Sequence, residues 1–173
     1  MKRLRYCVAV SLDGFIAGPD GECDWIIMDP STDFDEFFKE FDTVLMGRGS
    51  YMFIKEGAGS MMPGMKTLVC SSTLLSEDHP EVTVVSDAET MVKELKLEPG
   101  KDIWLFGGGN LFRSLLDAGL VDTVEIGVMP ILLSRGLPLL ADGDRSPKLN
   151  LTDTKTLPSG IVGLNYNVQY QSG

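Results

Sequence analysis

A short apolar run that ends in three glycines constrains this chain more than any other feature. Residues 103–106 read Ile-Trp-Leu-Phe, which fits a buried strand, and Gly107, Gly108 and Gly109 follow at once. Apolar residues then recur at helical spacing, at Leu111, Phe112, Leu115, Leu116 and Leu120. This order predicts an anion site, because glycine lets the backbone approach a ligand and free N–H groups open the helix. A tight turn without a ligand is the alternative interpretation.

Length, charge and cysteine content limit the class of protein. With 173 residues, 43% of them hydrophobic, the chain is predicted to form one domain over 1–173. Its formal net charge of −10 argues against nucleic acid or an anionic membrane as a partner. No apolar run approaches the roughly 18 residues of a membrane span. The three cysteines are widely spaced and form no Cys-x-x-Cys pair, which predicts free thiols and a cytoplasmic protein.

The remaining patterns alternate between strands and helices. Strands are predicted over 4–12, 43–46, 66–70, 82–85, 102–106, 123–129, 149–157 and 161–170. Helices are predicted over 31–41, over 88–97 and after the three glycines, with a flexible connection over 55–64. This alternation predicts a three-layer α/β/α fold with a mostly parallel central sheet. Pro158-Ser159-Gly160 predicts a turn that closes a C-terminal antiparallel hairpin.

Three of the predicted strands end in turns that suit a phosphate. Gly47 and Arg48 follow one strand, Ser71 and Ser72 follow another, and the three glycines follow the third. Carboxyl ends of parallel strands lie along one edge of a sheet, so the three turns are expected to meet there. A solvated arginine and turn-capping serines are the alternatives. Together the turns favour a nucleotide with phosphates at more than one point, and arginine and serine suit an extra ribose phosphate, as in NADP.

Five motifs, taken in order, resemble the dihydrofolate-reductase-like superfamily. They are Ser11-Leu12-Asp13-Gly14-Phe15-Ile16-Ala17, Met46-Gly47-Arg48, Cys70-Ser71-Ser72, Phe106-Gly107-Gly108-Gly109 and Pro130-Ile131-Leu132-Leu133. They extend over essentially the whole chain and are most similar to the reductase domain of the bifunctional riboflavin-biosynthesis deaminase/reductase. That resemblance implies an NADPH-dependent oxidoreductase similar to 5-amino-6-(5-phosphoribosylamino)uracil reductase, with a small heterocyclic substrate. Members of this branch are often homodimers.

The resemblance also implies a set of cofactor-binding residues. The pyrophosphate of NADPH would be bound by the residues that follow Phe106, which are Gly107, Gly108, Gly109, Asn110 and Leu111, and Phe106 itself belongs to the cofactor-binding set. Its ribose 2′-phosphate would be held after Gly47 by Arg48, Ser71 and Ser72. The nicotinamide would be bordered by Ala9, by Ile16 and by the loop 13–18, which would act as a lid. The deaminase half and its zinc ligands are absent from the chain, and the single histidine, His79, offers no metal cluster.

Four residues are candidates for catalysis or for substrate contact. Asp13 and Glu125 are candidates for proton handling or substrate contact, with a turn carboxylate and a surface charge as the alternatives. Trp25 and Asp33 are candidates for substrate contact, with an aromatic cap on the core and a helix cap as the alternatives.

The chain departs from the family in two places. Dihydrofolate reductase has a pterin-binding carboxylate five residues after its loop tryptophan, whereas Pro30 stands at that distance from Trp25, which argues against folate. Ser134-Arg135-Gly136 stands where the branch usually has glycines. Dihydrofolate reduction, and NADP binding without turnover, remain the alternative functions.

Overall fold

The structure, a computed structural model, describes residues 1–57, 62 and 64–170. Within these residues the strands are β1 (Leu4–Ser11), β2 (Phe15–Ala17), β3 (Phe41–Gly47), β4 (Lys66–Cys70), β5 (Thr83–Val85), β6 (Asp102–Gly107), β7 (Thr123–Met129), β8 (Leu137–Pro138), β9 (Lys148–Thr156) and β10 (Val162–Gln169). The helices are α1 (Phe34–Lys39), α2 (Arg48–Glu56), α3 (Ala88–Leu97) and α4 (Gly109–Asp117), with a 3₁₀ turn at Ser76–Asp78. No helix in the described ranges is long and apolar enough to cross a membrane.

Eight strands form the main sheet, in the order β5-β4-β3-β6-β1-β7-β10-β9. From β5 to β7 all neighbours are parallel. β10 is antiparallel to both β7 and β9. This confirms the predicted mostly parallel sheet with a C-terminal antiparallel hairpin. Because β1, β3, β4 and β6 are parallel, their carboxyl ends meet at one edge of the sheet.

Helices pack on both faces of the sheet over separate apolar clusters. One cluster joins residues of α3 and α4 to Tyr6 and Leu105, and the ring of Tyr6 stacks on Phe112 with centroids 3.8 Å apart. The other cluster joins Tyr51 of α2 and Phe37 of α1 to the opposite face. Strand β1 contributes to both clusters because successive side chains of a strand point to opposite faces. The three-layer arrangement fixes where each helix begins relative to the carboxyl edge.

Helix α2 is the largest element that the sequence patterns missed. The turn predicted after Gly47 and the first two residues of the predicted connection, 55 and 56, are helical, so both predictions are wrong there. Residues 58–61 and 63 of that connection lie outside the described ranges. Gly49 and aromatic residues have low intrinsic helix propensity, so local preference does not indicate a helix here. Burial of Tyr51 and Ile54 against the sheet stabilises it instead.

The first helix is shorter than predicted, and one small sheet was not predicted at all. Helix α1 begins after Asp33, whose carboxylate accepts the Glu36 N–H at 2.9 Å, and Phe41 already starts β3. The predicted range 31–41 is therefore wrong at both ends. β2 pairs with β8, about 120 residues later in the chain, and local patterns carry no signal for pairing at that separation.

Candidate functional site

A cleft of about 810 Å³ opens at the carboxyl edge of the parallel strands. Its walls come from the ends of the central strands, the first turns of α2 and α4, and the two short strands. The lining residues are Cys7, Val8, Ala9, Ile16, Ala17, Gly21, Cys23, Ile26, Gly47, Arg48, Gly49, Ser50, Phe53, Ile54, Cys70, Trp104, Phe106, Gly107, Gly108, Gly109, Asn110, Leu111, Leu137, Pro138 and Ala141. The cleft therefore brings together ten of the predicted cofactor residues, which are Ala9, Ile16, Gly47, Arg48 and the run 106–111.

The glycine run at the end of β6 could not be built from larger residues. Gly108 has φ +100°, a backbone conformation that side chains disfavour, and it is the N-cap of α4. A Cβ on Gly109 would lie 2.8 Å from the carbonyl oxygen of Pro138, too close for a real contact. Both glycines are needed for the turn and its packing, so the turn itself does not decide whether a ligand binds.

The two helices that begin at the cleft differ from the two that do not. Asp33 and Asp87 cap α1 and α3 by accepting a backbone N–H in the first turn. Helices α2 and α4 start after Gly47 and Gly108, and no side chain of the described residues caps either one. The first N–H groups of both helices therefore remain available as hydrogen-bond donors at the cleft. The positive ends of both helix dipoles also lie there. This arrangement fits an anion at two places.

Arg48 stands in the first turn of α2, where a cation is electrostatically unfavourable unless an anion is nearby. Its side chain is exposed, and its Nη1 lies 3.4 Å from the Thr73 hydroxyl. The hydroxyl of Ser71 accepts the N–H groups of Thr73 and Leu74, both at 3.1 Å, and shapes the turn after β4. Ser72 is exposed and lies off the cleft wall. Thr73, which the predicted set of cofactor residues leaves out, supplies the hydroxyl that reaches Arg48.

The cleft wall also holds residues to which the sequence assigned no role. All three cysteines and Trp104 line it. Burial, and then the negative charge of Glu125, raise the pKa of the Cys7 thiol well above its usual value, so this thiol is neutral. Burial likewise raises the pKa of Cys70 to about 11. Among the described side chains no three metal-ligating groups converge.

Asp13 holds two loops together outside the cleft wall. Its carboxylate accepts the Ser11 hydroxyl at 2.7 Å and the N–H groups of Leu133 and Ser134 at 3.1 and 2.7 Å. These hydrogen bonds, that of Ser11 first, keep the pKa of Asp13 below its usual value. The geometry is that of a turn carboxylate, and a role in proton handling stays a prediction.

Ser134 has φ 66°, in the left-handed region that favours glycine. We expect Ser134→Gly to raise the free energy of unfolding by about 0.5–1 kcal/mol, because relief of left-handed strain exceeds the entropy that glycine loses on folding. Ser134→Ala, which keeps the strain, is the matched control. Denaturant midpoints of the three proteins test this, and a glycine variant no more stable than the alanine variant would contradict it.

Glu125 lies behind the cleft wall rather than on it. Its two carboxylate oxygens accept hydrogen bonds from Nε and Nη2 of Arg5, both at 2.7 Å. Its Oε2 lies 3.6 Å from the Cys7 thiol sulfur. Burial by itself would raise the pKa of Glu125, but the hydrogen bonds from Arg5 and Thr123 outweigh it and hold the pKa below its usual value. Glu40 and Asp102 complete the ion-pair network around Arg5. The predicted catalytic role of Glu125 remains untested by this geometry.

Trp25 and Asp33 also lie off the cleft wall. The indole N–H of Trp25 donates to the carbonyl oxygen of Glu22 at 3.1 Å, and the nearby Ile26 lines the cleft instead. Asp33 is exposed and serves as the cap of α1. The structure thus places Asp33 in the arrangement of the helix-cap alternative, and substrate contact by either residue stays a prediction.

Comparison with known proteins places these features in a family context. The family model described as RibD C-terminal domain matches residues 2–163. Bacillus subtilis YyaP, described as uncharacterized, is 35% identical over 178 residues, covering 96% of this chain and 95% of that protein. The riboflavin biosynthesis protein RibD of Corynebacterium ammoniagenes is 23% identical over 152 residues, covering 77% of this chain and 44% of that protein.

Two solved structures show the same fold at low sequence identity. A Shewanella sp. PV-4 protein assigned to riboflavin biosynthesis superposes with a TM-score of 0.84 at 22% identity, covering 97% of this chain and 99% of that one. The second structure superposes with a TM-score of 0.72 at 17% identity, covering 97% of this chain and 57% of that one. It is the Thermotoga maritima diaminohydroxyphosphoribosylaminopyrimidine deaminase/5-amino-6-(5-phosphoribosylamino)uracil reductase. At these identities the likeness is one of fold.

Proposed function

The chain belongs to the RibD C-terminal domain family, and we propose that it is an NADPH-dependent oxidoreductase that reduces a small heterocyclic compound. The activity resembles that of 5-amino-6-(5-phosphoribosylamino)uracil reductase. One observation carries the proposal. Neither helix that starts at the cleft is capped by a side chain of the described residues, and one of the two starts with an arginine. A dinucleotide with a pyrophosphate and a ribose 2′-phosphate supplies an anion for each helix.

The residues present fit such a cofactor. The N–H groups that open α4, next to Gly108 and Gly109, suit the pyrophosphate. Arg48, the start of α2 and the turn at Ser71 suit the 2′-phosphate. NADPH supplies a hydride when it is bound. Ala9 and Ile16 border the space beside these groups, and we propose that the nicotinamide ring lies there.

The overall reaction consumes one hydride and one proton for each molecule reduced. The hydride goes to the electrophilic carbon of a C=N or C=O double bond, and the proton goes to its nitrogen or oxygen, so that NADP⁺ and the reduced compound are released. No carboxylate or imidazole of the described residues lies on the cleft wall. We therefore propose solvent that enters the cleft as the source of the proton, which assigns the chain a positioning role rather than acid catalysis.

Cofactor binding gives the first test of this proposal. Trp104 lines the cleft and Trp25 does not, so fluorescence quenching is expected to survive in Trp25→Phe. We expect NADPH to bind at least about tenfold more tightly than NADH, since a charge-assisted phosphate contact is lost in NADH. If neither cofactor binds, the proposed function falls.

Turnover separates the remaining alternatives. NADPH oxidation is followed with 5-amino-6-(5-phosphoribosylamino)uracil, with its phosphate-free form and with dihydrofolate. Oxidation with dihydrofolate alone would favour a dihydrofolate reductase. Tight NADPH binding without oxidation on any of the three compounds would favour a nucleotide-binding protein that has no turnover.

A further inference from the structure

We infer that Asp13 is a positioning residue, which holds one wall of the cleft in place against the nicotinamide ring of the cofactor. This inference rests on the proposed function and deepens it. The wall is the two-stranded sheet formed by β2 and β8, the β2–β8 ribbon. Four residues of the ribbon line the cleft, which are Ile16, Ala17, Leu137 and Pro138. The ribbon therefore borders the space proposed for the ring, and the groups that fix its two strands also fix that border.

A single carboxylate, that of Asp13, anchors both strands of the ribbon. On the β2 side it accepts the hydroxyl of Ser11 at 2.7 Å, and the oxygen of this hydroxyl accepts the N–H of Phe15, the first residue of β2, at 2.9 Å. On the β8 side it accepts the N–H groups of Leu133 and Ser134, at 3.1 and 2.7 Å, shortly before β8 begins. Ser11 is buried, so water does not replace the partners of its hydroxyl. Removing the carboxylate therefore releases both strands at once.

The contact between the ribbon and the glycine turn of α4 depends on other groups. The N–H of Leu139, directly after β8, donates to the carbonyl oxygen of Gly14 at 2.9 Å. The carbonyl oxygen of Leu139 accepts the hydroxyl of Tyr6 at 3.3 Å. The carbonyl oxygen of Pro138 packs against Gly109 so closely that a Cβ on this glycine would lie 2.8 Å from it. The turn proposed for the pyrophosphate should therefore keep its shape without the carboxylate, whereas β2 and β8 lose a shared anchor.

Two ligands separate the two halves of the cofactor. NADPH carries the nicotinamide ring, whereas 2′-phospho-ADP-ribose carries the 2′-phosphate and the pyrophosphate without that ring. Isothermal titration measures the affinity of both ligands for the wild type and for Asp13→Ala. We expect Asp13→Ala to weaken NADPH binding about tenfold and the binding of 2′-phospho-ADP-ribose less than about twofold. The reason is that the variant loses the preorganised border of the ring and keeps both phosphate sites.

Two further variants control for charge and for size. Asp20→Ala removes an exposed carboxylate just after β2 and should leave the binding of both ligands unchanged. Asp13→Asn keeps one acceptor oxygen and should fall between the wild type and Asp13→Ala. If Asp13→Ala weakens both ligands equally, or weakens neither, the inference is overturned. A wild type that binds NADPH no more tightly than 2′-phospho-ADP-ribose also overturns it, whereas a wild type that does not bind NADPH overturns the proposed function.

Ser11→Ala tests the link to β2 without changing a charge. This variant removes the hydroxyl that joins the carboxylate to the N–H of Phe15, so it should show the same difference between the two ligands. It also carries the test if Asp13→Ala does not fold. The double variant Ser11→Ala/Asp13→Ala should lose less NADPH affinity than the sum of the two single losses, because the two residues share one hydrogen-bonded unit. Fully additive losses would assign the two residues independent effects and overturn the inference.

Discussion

Arg48→Ala is expected to weaken NADPH binding by about 1.5–3 kcal/mol, a factor of roughly 10 to 150, and to leave NADH binding nearly unchanged. The two cofactors differ by the 2′-phosphate, and Arg48 is the charged residue on the described cleft wall. Its guanidinium combines with the open N-terminus of α2 to attract that phosphate. Removing the guanidinium leaves the N-terminus of α2 and the turn hydroxyls in place, so the variant should still bind NADPH somewhat more tightly than NADH.

Isothermal titration of both cofactors against both proteins measures this effect. Arg145→Ala removes another exposed arginine, one outside the cleft wall, and is the matched control. Arg48→Lys keeps the charge without the planar pair of donors and should fall between the wild type and Arg48→Ala. Equal losses for NADPH and NADH would show that Arg48 acts on the fold of the cleft rather than on the 2′-phosphate.

Glu125→Ala is expected to lower the free energy of unfolding by about 3 kcal/mol, because it leaves the guanidinium of Arg5 buried without its two-point partner. The Arg5 side chain is 8% exposed and that of Glu125 15% exposed. Glu40 and Asp102 remain beside Arg5 and keep the loss from being larger. Glu94→Ala, an exposed carboxylate of α3, is the control and should cost less than about 0.5 kcal/mol.

The pH dependence of stability identifies the ionic part of this effect. The folded pKa of Glu125 lies below its usual value, so its contribution is present above the ordinary carboxyl pKa and is lost as pH falls through the folded pKa. Acid should therefore narrow the gap between the wild type and Glu125→Ala. A gap that stays constant from neutral to acidic pH would mean that lost packing, rather than the ion pair with Arg5, destabilises the variant. If NADPH binding survives in the variant under stable conditions, Glu125 is not required for cofactor binding.

Much of the fold could be predicted because its strands and longer helices carry strong local patterns. The ranges predicted for β4, α3 and β7 agree with the structure at both ends. Helix α2 could not be predicted in this way, since its stability comes from Tyr51 and Ile54 meeting the sheet rather than from helix propensity. The pairing of β2 with β8 depends on two loops that meet only after the sheet has formed.

In the candidate site, too, some features could be predicted from local sequence and others depend on tertiary contacts. Glycine and arginine after strand ends are visible in the sequence, because parallel strands must present their carboxyl ends together. Sequence letters do not show which polar groups are already satisfied. The carboxylate of Asp13 is taken up by Ser11 and by two backbone N–H groups, and that of Glu125 by Arg5. Partners at such separations become neighbours through tertiary packing alone.

By itself the sequence determined the fold class, the family and the edge of the sheet where a ligand would bind, because these depend on periodicity and on glycine and arginine at strand ends. The tertiary structure decided which helix ends have no side-chain cap among the described residues, and which carboxylates already accept hydrogen bonds from the protein itself. The physical reason is that hydrogen bonding, burial and charge environment are properties of neighbours in space, and most of these neighbours are distant in the chain.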